Sequence, residues 1–163
     1  ARAFGMRVVA TRRRFTAGMT SPVADELLGP DGLDHLLAVS DAVVLAAPET
    51  PETEDLIGQR ELALMKPRSV LCNVGRGALV DETALIAGLV AGQPAAAILD
   101  VTREEPLPAT SALWDAPNLY LSAHSAAVHD GYFDSVLDLF GANIVRYVND
   151  EPLVNLVDPN VGY

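Results

Sequence analysis

The stretch Asn73-Val74-Gly75-Arg76-Gly77-Ala78-Leu79-Val80-Asp81 lies between two apolar segments of different periodicity. Residues 69–72 before it predict a buried parallel strand, and residues 82–90 after it have the apolar spacing of a helix. Arg76 therefore follows the carboxyl end of a strand, which is where open α/β sheets bind ligands. The flanking glycines let the backbone approach a ligand closely, and a guanidinium can hold a carboxylate by two parallel hydrogen bonds.

The rest of the chain alternates between apolar strands and helical segments. Residues 1–5 are typical of a last helical turn ended by glycine, residues 16–29 of a loop, and residues 29–32 of a turn that caps the next helix. Strands are predicted at residues 6–11, 41–47, 69–72, 95–100 and 119–122, and helices at 33–38, 61–65, 82–90 and 131–149. This order predicts a doubly wound α/β domain with a mostly parallel sheet.

Composition limits the classes of function. The chain has 163 residues, of which 50% are hydrophobic and 20% are charged, so we expect a globular domain with a core. Its net charge of -11 argues against nucleic acid as a partner. No apolar run is long enough to cross a membrane and no leader opens the chain, so we expect a soluble, cytoplasmic protein. Lys66 is the single lysine, which fits either a GC-rich genome or a salt-adapted organism.

Metal and disulfide chemistry are not expected. Cys72 is the single cysteine and lies in a predicted core strand, where a small buried hydrophobe is a better interpretation than a reactive thiol or a metal ligand. His35 lies on a predicted helix without a partner at metal spacing, so we expect a surface position. We predict no metal site, no disulfide and no zinc ribbon.

Three arginines, Arg12, Arg13 and Arg14, follow the predicted strand at residues 6–11. Such a run can be a solvated loop. It can also bind phosphate, because the residue that ends the second strand of a dinucleotide fold meets the adenosine ribose. An acid at that place binds the ribose hydroxyls of NAD, whereas arginines favour the 2′-phosphate of NADP. We favour the second interpretation, with NADP held by Arg12 and Arg13.

Arg76, Glu105 and His124 each follow the end of a different predicted strand. If those strands are neighbours, the three side chains converge on one crevice. Arginine can hold an anionic substrate, histidine can exchange a proton near neutral pH, and a carboxylate beside the histidine favours its charged form. Each residue alone has an ordinary structural explanation, but their shared placement favours a catalytic site.

Several motifs together resemble the D-isomer-specific 2-hydroxyacid dehydrogenases over nearly the whole chain. They are Leu56-Ile57-Gly58, Leu64-Met65-Lys66-Pro67, the Arg76 stretch, Leu99-Asp100-Val101, Glu105-Pro106-Leu107-Pro108 and His124. The resemblance implies a Rossmann-like cofactor domain and reversible hydride transfer between NAD(P)H and a small 2-oxo acid or D-2-hydroxy acid. NAD remains the alternative to NADP, and the particular acid is left open.

The resemblance also implies a role for each site residue. Arg76 would bind the substrate carboxylate and carbonyl, His124 would donate a proton to the carbonyl oxygen, and Glu105 would orient and tune His124. Asp100 would contact the carboxamide side of the nicotinamide. The other cofactor-binding residues would be Arg12, Arg13, Pro48, Thr53, Val74, Gly75, Ala126 and Ala127, with Arg76 and His124 also contacting the cofactor. Glutamate rather than glutamine at Glu105 disfavours the related formate dehydrogenases.

The chain departs from the family pattern at several points. Arg12 stands near the place of a common acid, Ala123 replaces a usual proline, and Ser125-Ala126-Ala127 replace usual glycines. No G-x-G-x-x-G motif occurs, so we expect the first strand and the glycine-rich loop to precede Ala1. Residues 1–129 would be a nucleotide-binding domain lacking those parts, and residues 130–163 a helix and tail returning to a substrate domain.

These departures imply a piece of a longer parent that is inactive on its own, with the parent forming a homodimer. One alternative from another functional class also fits the resemblance. Dehydrogenase-like transcriptional corepressors keep the fold and the dinucleotide site but act by recruiting partners, without physiological turnover. The acidic surface and the lack of an obvious peptide-docking extension favour the enzyme over such a corepressor or scaffold.

Overall fold

The computed structural model describes residues 1–158, and every strand pair among them is parallel. The strands are β1 (Val9–Thr11), β2 (Glu26–Leu28), β3 (Ala42–Leu45), β4 (Val70–Asn73), β5 (Ala96–Leu99) and β6 (Leu119–Leu121). The helices are α1 (Leu33–Val39), α2 (Gln59–Leu64), α3 (Glu82–Ala91) and α4 (Tyr132–Val148). Short 3-10 turns occupy Arg2–Phe4, Pro30–Gly32, Gly77–Leu79 and Ala112–Asp115. Residues 159–163, the end of the predicted tail, lie outside the described residues.

The strands form two sheets, one of β1 and β2 and one in the order β3-β4-β5-β6. In the larger sheet the strands lie side by side in the order of the chain. Because they are parallel, each connection crosses over so that the next strand begins at the same end of the sheet as the one before it. The carboxyl ends of its four strands therefore meet along one edge. This confirms the predicted α/β, Rossmann-like fold and brings the segments after the strands together.

The core lies on one face of the larger sheet. Buried side chains of β3, β4 and β5 pack against α1, α2 and α3 there. The cluster includes Leu37, Val43, Leu45, Leu62, Leu71, Leu85, Leu89, Ala97 and Leu99. Burial of each leucine contributes roughly 1.5–3 kcal/mol, which makes this cluster the main source of stability.

The opposite face of the sheet is open within residues 1–158. The strand register aligns Val44, Cys72, Ile98 and Tyr120 in one row across the four strands. Val44 is 61% exposed and Tyr120 is 64% exposed. Cys72, which we predicted to be buried, is therefore only partly buried, because it points to this open face.

Residues 16–29 are not wholly a loop, which corrects the prediction. β2 lies within this range and pairs with β1 from Val9 opposite Glu26 to Thr11 opposite Leu28. Three residues give too little alternation for the sequence to indicate a strand. The helix that comes next has Gly32 at its N-cap, and no side chain caps it.

Helix α4 has no buried residue. Its apolar side chains include Phe133, 74% exposed, and Phe140, 62% exposed. The segment after it turns back along the helix, because the Asn143 amide donates to the Val154 carbonyl at 3.1 Å and accepts from the Val154 N–H at 3.0 Å. Among the described helices, none has the length and apolarity needed to cross a membrane.

Candidate active site

A cleft of about 450 Å³ lies at the carboxyl edge of the larger sheet. The segments after β3, β4, β5 and β6 all contribute to its walls. Its lining comprises Glu49, Glu54, Arg76, Gly77, Ala78, Val101, Thr102, Arg103, Glu105 and His124. The structure thus brings the three predicted catalytic residues, Arg76, Glu105 and His124, to one cleft.

Glu105 and His124 form a hydrogen-bonded pair in this cleft. Nδ1 of His124 lies 2.8 Å from Oε2 of Glu105, whose Oε1 accepts a hydrogen bond from the Thr102 N–H at 3.0 Å. The hydrogen bond with His124 lowers the pKa of Glu105, with further contributions from the Thr102 N–H and the charge of Arg76. An ionised Glu105 fixes the proton on Nδ1 of a neutral His124. Nε2 has no hydrogen-bond partner among residues 1–158 and is the nitrogen left for chemistry.

Asp100 supports the turn that presents His124. Its backbone carbonyl accepts from the His124 N–H at 2.8 Å. Its carboxylate accepts from Ser122 Oγ at 2.6 Å, Ser125 N–H at 3.0 Å and Ala126 N–H at 2.9 Å. His124 has φ of 51°, a left-handed conformation that a non-glycine residue keeps only when its surroundings enforce it. The Ser122 hydrogen bond is the largest of the effects that lower the pKa of Asp100.

The side chain of Asn73, which is 1% exposed at the end of β4, stabilises the Arg76 turn by hydrogen bonds. Asn73 Nδ2 donates to the Arg76 carbonyl at 2.8 Å, and its Oδ1 accepts from the Gly75 N–H at 3.0 Å. Arg76 Nη1 donates to the Gly75 carbonyl at 2.7 Å. These bonds fix the backbone of the turn while the guanidinium stays in the cleft wall.

The loop after β3 contains the predicted cofactor residues Pro48 and Thr53. Thr53 Oγ1 donates to the Pro48 carbonyl at 2.8 Å and accepts from the Thr50 N–H at 2.8 Å. The loop is therefore closed on itself beside the cleft. Val74, 38% exposed, and Gly75 come after β4 at the same edge.

Arg12 and Arg13 come after β1 and are exposed. The Arg12 N–H donates to the Leu28 carbonyl at 3.0 Å, which continues the pairing of β1 with β2. A hydrogen bond from Thr50 is the main cause of a lowered pKa at Glu52, and the charge of Arg13 adds to it. The charge of Arg13 therefore acts on the loop after β3. The last two predicted cofactor residues, Ala126 and Ala127, lie in an exposed turn after His124.

Cys72 and His35, whose side chains could also take part in chemistry, do not line the cleft. Burial raises the pKa of the Cys72 thiol, which keeps it protonated at neutral pH. His35 lies on the surface of α1, with Nε2 3.2 Å from a Glu26 carboxylate oxygen. No cluster of three or more potential metal ligands occurs in the described part of the chain.

Three residues of the site were not assigned roles from the sequence. Asn73 lies within the opening stretch, so a polar residue at the end of a strand was an available signal. Asp55 and Arg103 form an ion pair at the rim of the cleft. They are 48 positions apart, and no local pattern joins them.

Residues 1–126 match the family model for the D-isomer specific 2-hydroxyacid dehydrogenase, NAD binding domain. Glyoxylate/hydroxypyruvate reductase B of Pectobacterium atrosepticum is 43% identical over 130 residues, which are 79% of this chain and 40% of that protein. Glyoxylate reductase of Thermococcus gammatolerans is 39% identical over 163 residues, 99% of this chain and 47% of that protein. The chain therefore spans about half the length of the curated relatives that it matches.

Solved structures agree with these sequence matches. An NADPH-dependent glyoxylate/hydroxypyruvate reductase from Sinorhizobium meliloti, in complex with NADP and sulfate, superposes with a TM-score of 0.85 at 30% identity and covers 99% of this chain and 51% of its own. A D-isomer specific 2-hydroxyacid dehydrogenase from Xanthobacter autotrophicus Py2, in complex with NADPH and MES, gives 0.83 at 36% identity, over 98% of this chain and 64% of its own. Fold, cleft and sequence matches agree that this chain belongs to the D-isomer specific 2-hydroxyacid dehydrogenase family, within its NAD binding domain.

Proposed function

We propose that the whole protein is an oxidoreductase that transfers a hydride between NADP(H) and a small 2-oxo acid or D-2-hydroxy acid. The observation that carries the proposal is the 2.8 Å pair of Glu105 and His124 in the same cleft as Arg76. A cation for a carboxylate and a histidine for a carbonyl oxygen are the two groups that reduction of a 2-oxo acid requires. The names of the relatives support glyoxylate or hydroxypyruvate as the substrate class.

In the reduction, Arg76 holds the substrate carboxylate through paired hydrogen bonds and orients the carbonyl. Nε2 of a protonated His124 donates a proton to the carbonyl oxygen as negative charge develops there. Glu105 holds the imidazole through Nδ1 and stabilises its charged form. In the reverse direction Nε2 accepts the proton from the hydroxyl group. NADPH supplies the hydride when it is bound.

The residues present fit the two ends of such a cofactor. Arg12 and Arg13 have the charge and the place to bind a 2′-phosphate, which favours NADP over NAD. Val74 and Gly75 at the end of β4, together with the turn at Ala126, would border the nicotinamide. Relatives solved with NADPH or NADP support this assignment.

We also propose that the pyrophosphate site comes from a further strand of the whole protein. Dinucleotide-binding sheets have the order 3-2-1-4-5-6. In that order, β2 would correspond to strand 3, β1 to strand 2 and β3 to strand 4. The first strand, with its glycine-rich loop, would then lie between β1 and β3, and residues 1–129 would be part of one cofactor domain. Helix α4 and the tail would lead to a substrate domain, in a protein that forms a homodimer.

The test is turnover of candidate 2-oxo acids by the whole protein with NADPH, comparing His124→Gln with His35→Gln. Both histidines are exposed and pair with a glutamate, but only His124 lies in the cleft. Loss of a general acid lowers kcat by about 10²–10⁴-fold, so His124→Gln should be nearly inactive and His35→Gln normal. A folded, NADPH-binding wild type without turnover would refute the proposal and favour the corepressor-like alternative.

A further inference from the structure

The side chain of Arg103 connects the segments that form the cleft. Its Nη2 donates to an Asp55 carboxylate oxygen in the loop after β3 and lies 3.4 Å from the Ala78 carbonyl in the segment after β4. Its Nη1 lies 3.4 Å from Glu54 Oε1. The Arg103 N–H donates to Glu82 Oε1 at the start of α3 at 2.7 Å. One residue after β5 is thus bonded to both preceding loops.

The same segment after β5 carries Glu105. It is closed by two hydrogen bonds, from the Thr102 N–H to Glu105 Oε1 at 3.0 Å and from Thr102 Oγ1 to the Glu104 carbonyl at 2.8 Å. Arg103 lies within the turn that these two hydrogen bonds close, directly after Thr102 in the chain. Its contacts therefore connect the segment that carries Glu105 to the two preceding loops.

The Asp55 side of this connection is also well defined. The Asp55 N–H donates to the Ala78 carbonyl at 2.8 Å, so a backbone hydrogen bond holds this residue in addition to the ion pair. Asp55 has φ of 49°, a conformation that aspartate and asparagine tolerate better than most residues. An isolated surface ion pair contributes little to stability. Alignment of a reacting group is more sensitive, because a misplacement of about 1 Å can lower a rate about 10²-fold.

We propose that Arg103 is a positioning residue for the Glu105–His124 pair and acts through its ion pair with Asp55. The inference deepens the proposed function, because it names the group that aligns the acid–base pair of that reaction. In this role Arg103 acts through the segment that carries Glu105 and needs no contact with substrate or cofactor.

The first test uses the whole protein labelled with ¹³C at glutamate, with the Glu105 signal assigned by Glu105→Gln. We expect Asp55→Asn to raise the titration midpoint of the Glu105 carboxyl toward its ordinary value, because the pair with His124 loosens. The loss of the negative charge of Asp55 would by itself lower the Glu105 midpoint, because the surroundings of Glu105 become more positive. Only a positioning role predicts a rise. An unchanged or lowered midpoint would overturn the proposal.

Arg103→Lys provides a second variant without a change in net charge. It keeps the cation but loses the planar fork, so we expect a rise of the Glu105 midpoint here as well. With a 2-oxo acid and NADPH, both variants should lower kcat about tenfold or more while KM changes little. The matched control is Asp34→Asn, which breaks the Arg60–Asp34 ion pair between α1 and α2 and should change neither readout.

The two proposals fail in different ways. If the wild type does not turn over 2-oxo acids, the proposed function fails, and the Glu105 titration still decides whether Arg103 positions the pair. If the wild type is active and Asp55→Asn and Arg103→Lys both behave like Asp34→Asn, the proposed function stands and the positioning role is wrong.

Discussion

A Cβ atom at Gly77 would lie 2.0 Å from the carbonyl carbon of Thr102, so the Arg76 turn and the segment that carries Glu105 are in direct backbone contact. No side-chain movement can relieve such an overlap. We expect Gly77→Ala to separate the two segments and to lower kcat/KM about 10²-fold or more, because Arg76 and Glu105 lose their common alignment.

Steady-state kinetics with a 2-oxo acid measure this effect. Gly58→Ala is the control, because a Cβ there would make only ordinary contacts, 3.5 Å from the end of the Glu61 side chain and 3.9 Å from the Asp55 carbonyl oxygen. Activity of Gly77→Ala equal to that of Gly58→Ala would show that the backbone contact does not align the site.

The sequence predicted the convergence of Arg76, Glu105 and His124 because the residues just past the ends of neighbouring parallel strands lie at one edge of the sheet. Only the order of the elements and the position of each residue past its strand are needed for this prediction. The Arg76 motif is also local. Asn73 and the glycines next to Arg76 shape a single turn, so the residues that form it are neighbours in the sequence. A single sequence is enough to predict such a feature, because it depends only on the spacing of nearby residues.

The turn at His124 yields a prediction on stability. Asp100→Asn replaces one acceptor oxygen by an NH₂ group facing backbone N–H donors, which costs about 1–3 kcal/mol of unfolding free energy at about pH 7. In the folded chain the pKa of Asp100 is lowered, chiefly by the Ser122 hydrogen bond. Its carboxylate therefore stabilises the fold above its ordinary pKa, and this contribution is lost as the pH falls through the folded pKa.

Urea denaturation at about pH 7 and about pH 2.5 measures this linkage. The difference in unfolding free energy between wild type and Asp100→Asn should shrink at the lower pH. Asp41→Asn serves as control, because Asp41 is exposed and pairs with Lys66 at 2.8 Å on the surface. A difference between wild type and Asp100→Asn that stays constant with pH would contradict the role given to the carboxylate.

The basic run after β1 yields a prediction on cofactor choice. Arg12→Asp combined with Arg13→Ser should lower the ratio of kcat/KM for NADPH to that for NADH by about tenfold or more, since hydrogen bonds to a charged phosphate contribute about 1.5–3 kcal/mol each. Arg14→Ser is the control from the same run. If the double variant keeps the wild-type ratio, the 2′-phosphate is not bound by these arginines.

Other features could not be predicted for physical reasons. β2 has three residues, too few for a periodic signal, although its pairing with β1 is complete. The open face of the larger sheet, where Cys72 lies, depends on which elements cover it and not on the apolar run itself. The ion pair of Asp55 and Arg103 joins loops 48 residues apart, and a single sequence carries no signal for such a contact.

Arg76 is central to the proposed function as the group that holds the substrate carboxylate. The decisive measurement is kcat/KM of wild type, Arg76→Ala and the control Arg68→Ala with NADPH, using a 2-oxo acid and its uncharged methyl ester. We predict that wild type and Arg68→Ala strongly prefer the acid, while Arg76→Ala loses about 10²-fold or more on the acid and little on the ester. Wild-type turnover of the acid by Arg76→Ala would contradict this role.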